Sequence, residues 1–124
     1  MNEFTMNFFE IFREMAFDSD GNVIAKPFNP AEQNAFDCYN NSRQNASKVN
    51  GKAVYECDSL PQYDFTAEFI DLLREAELTE IAVTAENGLL DFLQIANDIG
   101  CRITGICSVT HTNGTIVHGI ILHL

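Results

Sequence analysis

Apolar residues at the start of the chain recur at helical spacing. Phe4, Phe8, Ile11, Phe12 and Met15 align on one face of a predicted helix over residues 2–16, with Glu3, Asn7, Glu10 and Glu14 mostly opposite. Met6 and Phe9 widen the apolar arc, so such a helix is either sandwiched in the fold or covered by a second subunit. Asp18-Ser19-Asp20-Gly21-Asn22 reads as a turn before a short strand at 23–25. Its Asp-x-Asp-Gly run lacks the bidentate acid of a calcium loop, because Asn29 stands at the twelfth position.

Asn29-Pro30 opens a second predicted helix reaching about Asn41, with Ala31, Ala35, Phe36 and either Cys38 or Tyr39 inside. Residues 40–51 are rich in Asn, Ser and Gln and end in Asn50-Gly51. They read as an exposed loop carrying Arg43 and Lys48, with Lys52 beside it. Residues 52–57 alternate as a strand. Asp64 or Thr66 caps a third helix to about Glu77, whose inward stripe is Phe65, Phe69, Leu72, Leu73 and Ala76. A strand at 79–85 and a fourth helix at about 88–99 follow, the helix ending at Gly100.

Residues 102–111 and 115–124 alternate as strands around Asn113-Gly114, a strong hairpin signal. A two-residue loop would set Thr112 opposite Thr115 and fix the register behind it. Val109 then faces His118, Cys107 faces Ile120, and His111 faces Ile116. This register gathers Cys107, His111 and His118 on one apolar face turned to the helices, with diagonal neighbours roughly 7 Å apart. A thiol–imidazole pair there would act as nucleophile and base. With a carboxylate from a helix, the three would form a zinc site. No oxyanion hole or fourth ligand is identifiable, so the expectation is no catalytic residue, no metal and no cofactor. The other hairpin face carries Val117, Ile106 and Ile121 with Thr104, Ser108, Thr110 and His123. Left uncovered, that face and a terminal edge strand would favour a homodimer through the hairpin.

Charge sharpens this picture. From Asp64 to Asp98 there are nine carboxylates and one cation, Arg74; after Arg102 no acid, Lys or Arg occurs. The net charge of −11 disfavours direct contact with nucleic acid or an anionic membrane and suits basic protein surfaces. Asp64, Glu68, Asp71 and Glu75 are spaced four, three and four apart. They form one helical stripe with neighbours about 5–6 Å apart along the axis, comparable with a phosphate backbone. These four are the candidate partner-binding residues.

Cys38, Cys57, Cys101 and Cys107 show no paired metal or redox spacing, and the N-terminus lacks a basic signal-peptide stretch. The expectation is a cytoplasmic protein with free thiols. A hydrophobic share of 46% with 20% charged residues argues against disorder, and 124 residues suit a single domain over 1–124.

Leu72-Leu73-Arg74-Glu75-Ala76, Ile81-Ala82-Val83-Thr84 and Gly100-Cys101-Arg102-Ile103-Thr104-Gly105 are motifs of a structural kind. Over about residues 49–124 the chain resembles small uncharacterised acidic proteins of phages and integrated mobile elements of gut Firmicutes. The resemblance implies a genomic setting that includes inhibitors of CRISPR and restriction nucleases, and it assigns no residue a role. The predicted architecture is an α+β two-layer domain. About four helices would cover a mixed or mostly antiparallel sheet of about four or five strands, closed by the C-terminal hairpin.

Overall fold

A computed structural model describes residues 29–124. The predicted first helix, the Asp-rich turn and the first short strand lie outside these residues. The described elements are α1 (Pro30–Asn45), β1 (Lys48–Val49), β2 (Lys52–Ala53), β3 (Glu56–Cys57), a 3₁₀ turn (Tyr63–Phe65), α2 (Thr66–Glu75), β4 (Glu80–Val83), α3 (Leu89–Asp98), β5 (Arg102–Thr110) and β6 (Ile116–His123). The fold is α+β. Six strands in the order β2-β1-β5-β6-β4-β3 form a mixed, strongly curled half-barrel sheet, larger than the expected four or five strands. Among the described strands, only β3 and β4 run parallel.

α1 starts where Asn29-Pro30 predicts it. The Asn29 side chain accepts from Glu32 N, and Glu32 Oε1 accepts from Asn29 N, a reciprocal capping box. The helix runs four residues past its expected end. Its polar last turn is tied down by two tertiary bonds, Asn41 donating to Asp58 and Ser42 Oγ accepting from Glu56 N, while Ser42 Oγ donates within the helix to Cys38 O. The rest of the expected loop is a hairpin. Asn50 at φ +52° and Gly51 at φ +79° make a two-residue turn between Val49 and Lys52.

No side chain caps α2, whose N-cap is Phe65 rather than Asp64 or Thr66. α3 ends as predicted. Gly100 at φ +96° lets Cys101 N reach Ala96 O and Gly100 N reach Asn97 O, a Schellman closure.

The sheet carries a core on each face, although the helix side of β5 and of the start of β6 stays exposed. One face packs under the helices, where Ile81, Val83 and Leu122 meet Ala35 and Tyr39 of α1, Phe69 and Leu73 of α2, and Phe92 of α3. Phe69 and Phe92 meet edge to face at 6.1 Å. The other face rolls onto itself. Ala82, Cys107 and Val109 form a second small core with Val49, Val54, Val117 and Ile121.

The hairpin register differs from the expectation by one residue. His111 N donates to Thr115 O and Gly114 N donates to His111 O, with Gly114 at φ +87°. This is a three-residue loop with a left-handed glycine, not a two-residue turn. Cys107 therefore pairs with Gly119, Ser108 with His118, Val109 with Val117 and Thr110 with Ile116. A one-residue slip reverses which faces meet. Val117 and Ile121 thus join Cys107 in the rolled core, while Ile106 and His118 point to the helix side. Nor is β6 an edge strand, since it lies between β5 and β4.

Candidate functional site

Inside the curl sits a polar cluster built around Glu56. The parallel pairing of Glu56 with Ala82 turns its side chain into the rolled core, where it is 3% exposed. A buried carboxylate must be compensated by donors. Ser47 Oγ donates to Oε1 at 2.9 Å, and Thr84 Oγ1 donates to Oε2 at 2.8 Å. His111 Nε2–H donates to Oε1 at 2.5 Å. These donors come from the residue before β1, the residue after β4 and the residue after β5. Among the described residues, no buried side-chain nitrogen or oxygen lacks a partner. The carboxylate is enclosed: both of its oxygens accept from these donors. Beside it opens a hollow of about 370 Å³ lined by Ser42, Ser47, Lys48, Ala53, Val54 and Tyr55.

The three hairpin residues expected together are separated. Cys107 faces the rolled core, whereas His118 lies on the opposite face, exposed, with Nδ1 3.0 Å from Ser108 Oγ. His111 shares the Cys107 face but is bound to Glu56, four residues further along the strand. The thiol–imidazole dyad and the zinc set both required the expected register. Among the described residues, no group of three or more His, Cys, Asp or Glu could hold a metal ion. Burial, and then the Glu56 charge, push the Cys107 thiol above its ordinary range; a Gly119 backbone hydrogen bond only partly opposes them. This holds it as a thiol, not a nucleophilic thiolate.

Asp64, Glu68, Asp71 and Glu75 lie on the 3₁₀ turn and α2, and all four are exposed. Glu68 Oε1 accepts from Asn29 Nδ2 at 3.0 Å, linking the start of α1 to the stripe. Arg74 is engaged elsewhere. Its guanidinium donates to Ile99 O at 2.9 Å and to Cys101 Sγ at 3.4 Å, closing the C-terminal end of α3.

Sequence reasoning missed Glu56. Its neighbours Tyr55 and Cys57 mark a strand, and an acid between them reads as a solvent-facing residue. Only the curl of the sheet onto itself turns it inward. His111 was singled out, but for a different partner.

No protein family, curated protein or solved structure matches the chain. Among the described residues, no helix is long and apolar enough to cross a membrane.

Proposed function

We propose that this chain is a non-enzymatic, acidic protein-binding module that docks on a basic protein surface through Asp64, Glu68, Asp71 and Glu75. A nucleic-acid-binding protein is the fitting partner class, with the stripe occupying a cleft made for a phosphate backbone. A phage or mobile-element inhibitor of the anti-CRISPR or anti-restriction kind is the biological form of this reading. Its carrying observation is that the four carboxylates are solvent-exposed while Arg74 spends its guanidinium on the end of α3. The enclosed Glu56 carboxylate and the separation of Cys107 from His118 favour binding over catalysis.

The test is affinity capture from the native host with the full chain and with a Glu68→Lys/Asp71→Lys/Glu75→Lys variant. A basic protein retained by the first and lost by the second, with circular dichroism unchanged, supports the reading. Salt should weaken that retention, because charge steering is screened over about 8–10 Å at physiological ionic strength. Retention of the same protein by both forms would overturn it.

A further inference from the structure

Cys38 and Cys57 lie far apart in the sequence, and their spacing carries no redox signature. The fold brings them together. Glu56 points into the rolled core, so strand alternation turns Cys57 to the helices, where it is buried in the same core as Cys38 of α1. Hydrogen bonds fix the helix against the strand on both sides of the pair. One turn before Cys38, Asn34 Nδ2 donates to Ser59 O at 3.4 Å. One turn after it, Ser42 Oγ accepts from Glu56 N at 2.6 Å. Beside Ser42, Asn41 Nδ2 reaches both carboxylate oxygens of Asp58, at 3.1 and 3.2 Å. Residues 34, 41 and 42 thus bracket Cys38 as residues 56, 58 and 59 bracket Cys57.

Between these anchors the two thiols touch. Cys57 Sγ donates to Ser59 O at 3.3 Å, and the Cys38 thiol is hydrogen-bonded to the Cys57 thiol. With the Cys57 hydrogen spent on Ser59, Cys38 is the donor of the pair. The other two cysteines are engaged elsewhere. Cys101 Sγ accepts from Arg74, and Cys107 lies in the rolled core on the opposite face of the sheet. Sulfurs already in hydrogen-bond contact can close to a bond of about 2.05 Å by side-chain rotation, without backbone travel.

We propose that Cys38 and Cys57 form a redox latch, in which oxidation joins them in a disulfide that locks α1 onto β3 and encloses the β1–β2 hairpin in the closed loop. The oxidant is a low-molecular-weight disulfide, glutathione disulfide in the test below. One protein thiol, as thiolate, attacks a sulfur of that disulfide and releases one glutathione thiolate. The second protein thiol, again as thiolate, attacks the protein sulfur of the mixed disulfide and releases the other. The protein loses two protons and two electrons, and one glutathione disulfide becomes two glutathione thiols. Burial keeps the oxidant away from both thiols in the closed fold. Exchange therefore starts when α1 lifts from β3, and the bond closes as the helix settles back.

The test is equilibration of the full chain in glutathione buffers from fully reduced to fully oxidised, with acid quench, alkylation and peptide mass mapping. The expected product is a single disulfide, Cys38–Cys57, with Cys101 and Cys107 alkylated. The same treatment in denaturing urea supplies the contrast, because loop closure in an unfolded chain favours the near neighbours Cys101 and Cys107. A native product that matches the denatured one overturns the proposal, since the pairing would then owe nothing to the fold. So does a native chain that stays reduced, or carries only glutathione adducts, in the most oxidising buffer. The oxidised form should melt on the order of 10 °C above the reduced form, and dithiothreitol should reverse the rise. Cys101→Ser/Cys107→Ser keeps the pair and should show the same rise. An oxidised form that melts no higher than the reduced one overturns the latch.

Discussion

Glu56 is the residue on which the inner core turns. An ionised carboxylate away from water is tolerated only with close, well-aligned donors, and it receives them from three separate strand ends. The same residue's backbone N–H is held by Ser42 of α1. The cluster therefore fastens the β1–β2 hairpin and the end of β5 to the β3–β4 pair. Glu56→Gln preserves size but removes the charge around which the three donors are arranged, and its amide N–H can meet Thr84 only if that hydroxyl turns from donor to acceptor. A loss of about 1–3 kcal/mol in urea unfolding is expected. His111→Ala removes one donor, and a double-mutant cycle between the two should show coupling of about 0.5–3 kcal/mol. Additive effects would mean that the pair contributes nothing beyond its separate members.

At the element scale, the hairpin loops show how far sequence reaches. Asn-Gly occurs twice, at residues 50–51 and 113–114. The first makes a two-residue turn with both residues left-handed, although its polar surroundings read as loop. The second lies between well-patterned strands and makes a three-residue loop, because only Gly114 is left-handed. The dipeptide thus indicates a hairpin without fixing its length, and one residue of length exchanges the faces of Cys107 and His118. Helices were legible wherever capping chemistry and apolar stripes agreed, as at Asn29-Pro30 and Gly100. The split of residues 52–57 into an antiparallel and a parallel strand was not legible, because it depends on which distant strands pair with each half. Gly119 shows the same limit. A side chain there would place its first carbon 2.2 Å from Val83 O, whereas at Gly105 nothing lies within 4 Å. Nothing in the strand pattern distinguishes these two glycines. Gly119→Ala should force β4 and β6 apart and cost about 1–3 kcal/mol or more. Gly105→Ala should stay within about 0.5 kcal/mol of wild type. Chemical denaturation of the two variants checks this, and equal midpoints would contradict the close strand approach.

For the whole molecule, acidity and buried thiols combine to set an alkaline limit on stability. Cys38, Cys101 and Cys107 are all buried and all held above a thiol's ordinary 9.0. For Cys38 the first cause is its hydrogen bond with Cys57, followed by burial. For Cys101, burial outweighs the opposing pull of the Arg74 guanidinium. Unfolding lets each thiol ionise at its ordinary value, so above that pH the unfolded chain binds fewer protons than the folded one. The stabilisation is complete below about pH 9 and declines as pH rises through the folded values. Self-repulsion of a chain already at −11 acts in the same direction, but added salt screens it. Salt does not restore the cost of burying a thiolate. Thermal unfolding followed from roughly pH 7 to pH 10 at low and high salt therefore separates the two contributions. The midpoint should begin to fall near pH 9 at both salt concentrations, and the fall should be shallower in Cys107→Ala than in wild type. A decline abolished by salt would assign the whole effect to surface charge and leave the thiols without a part in it.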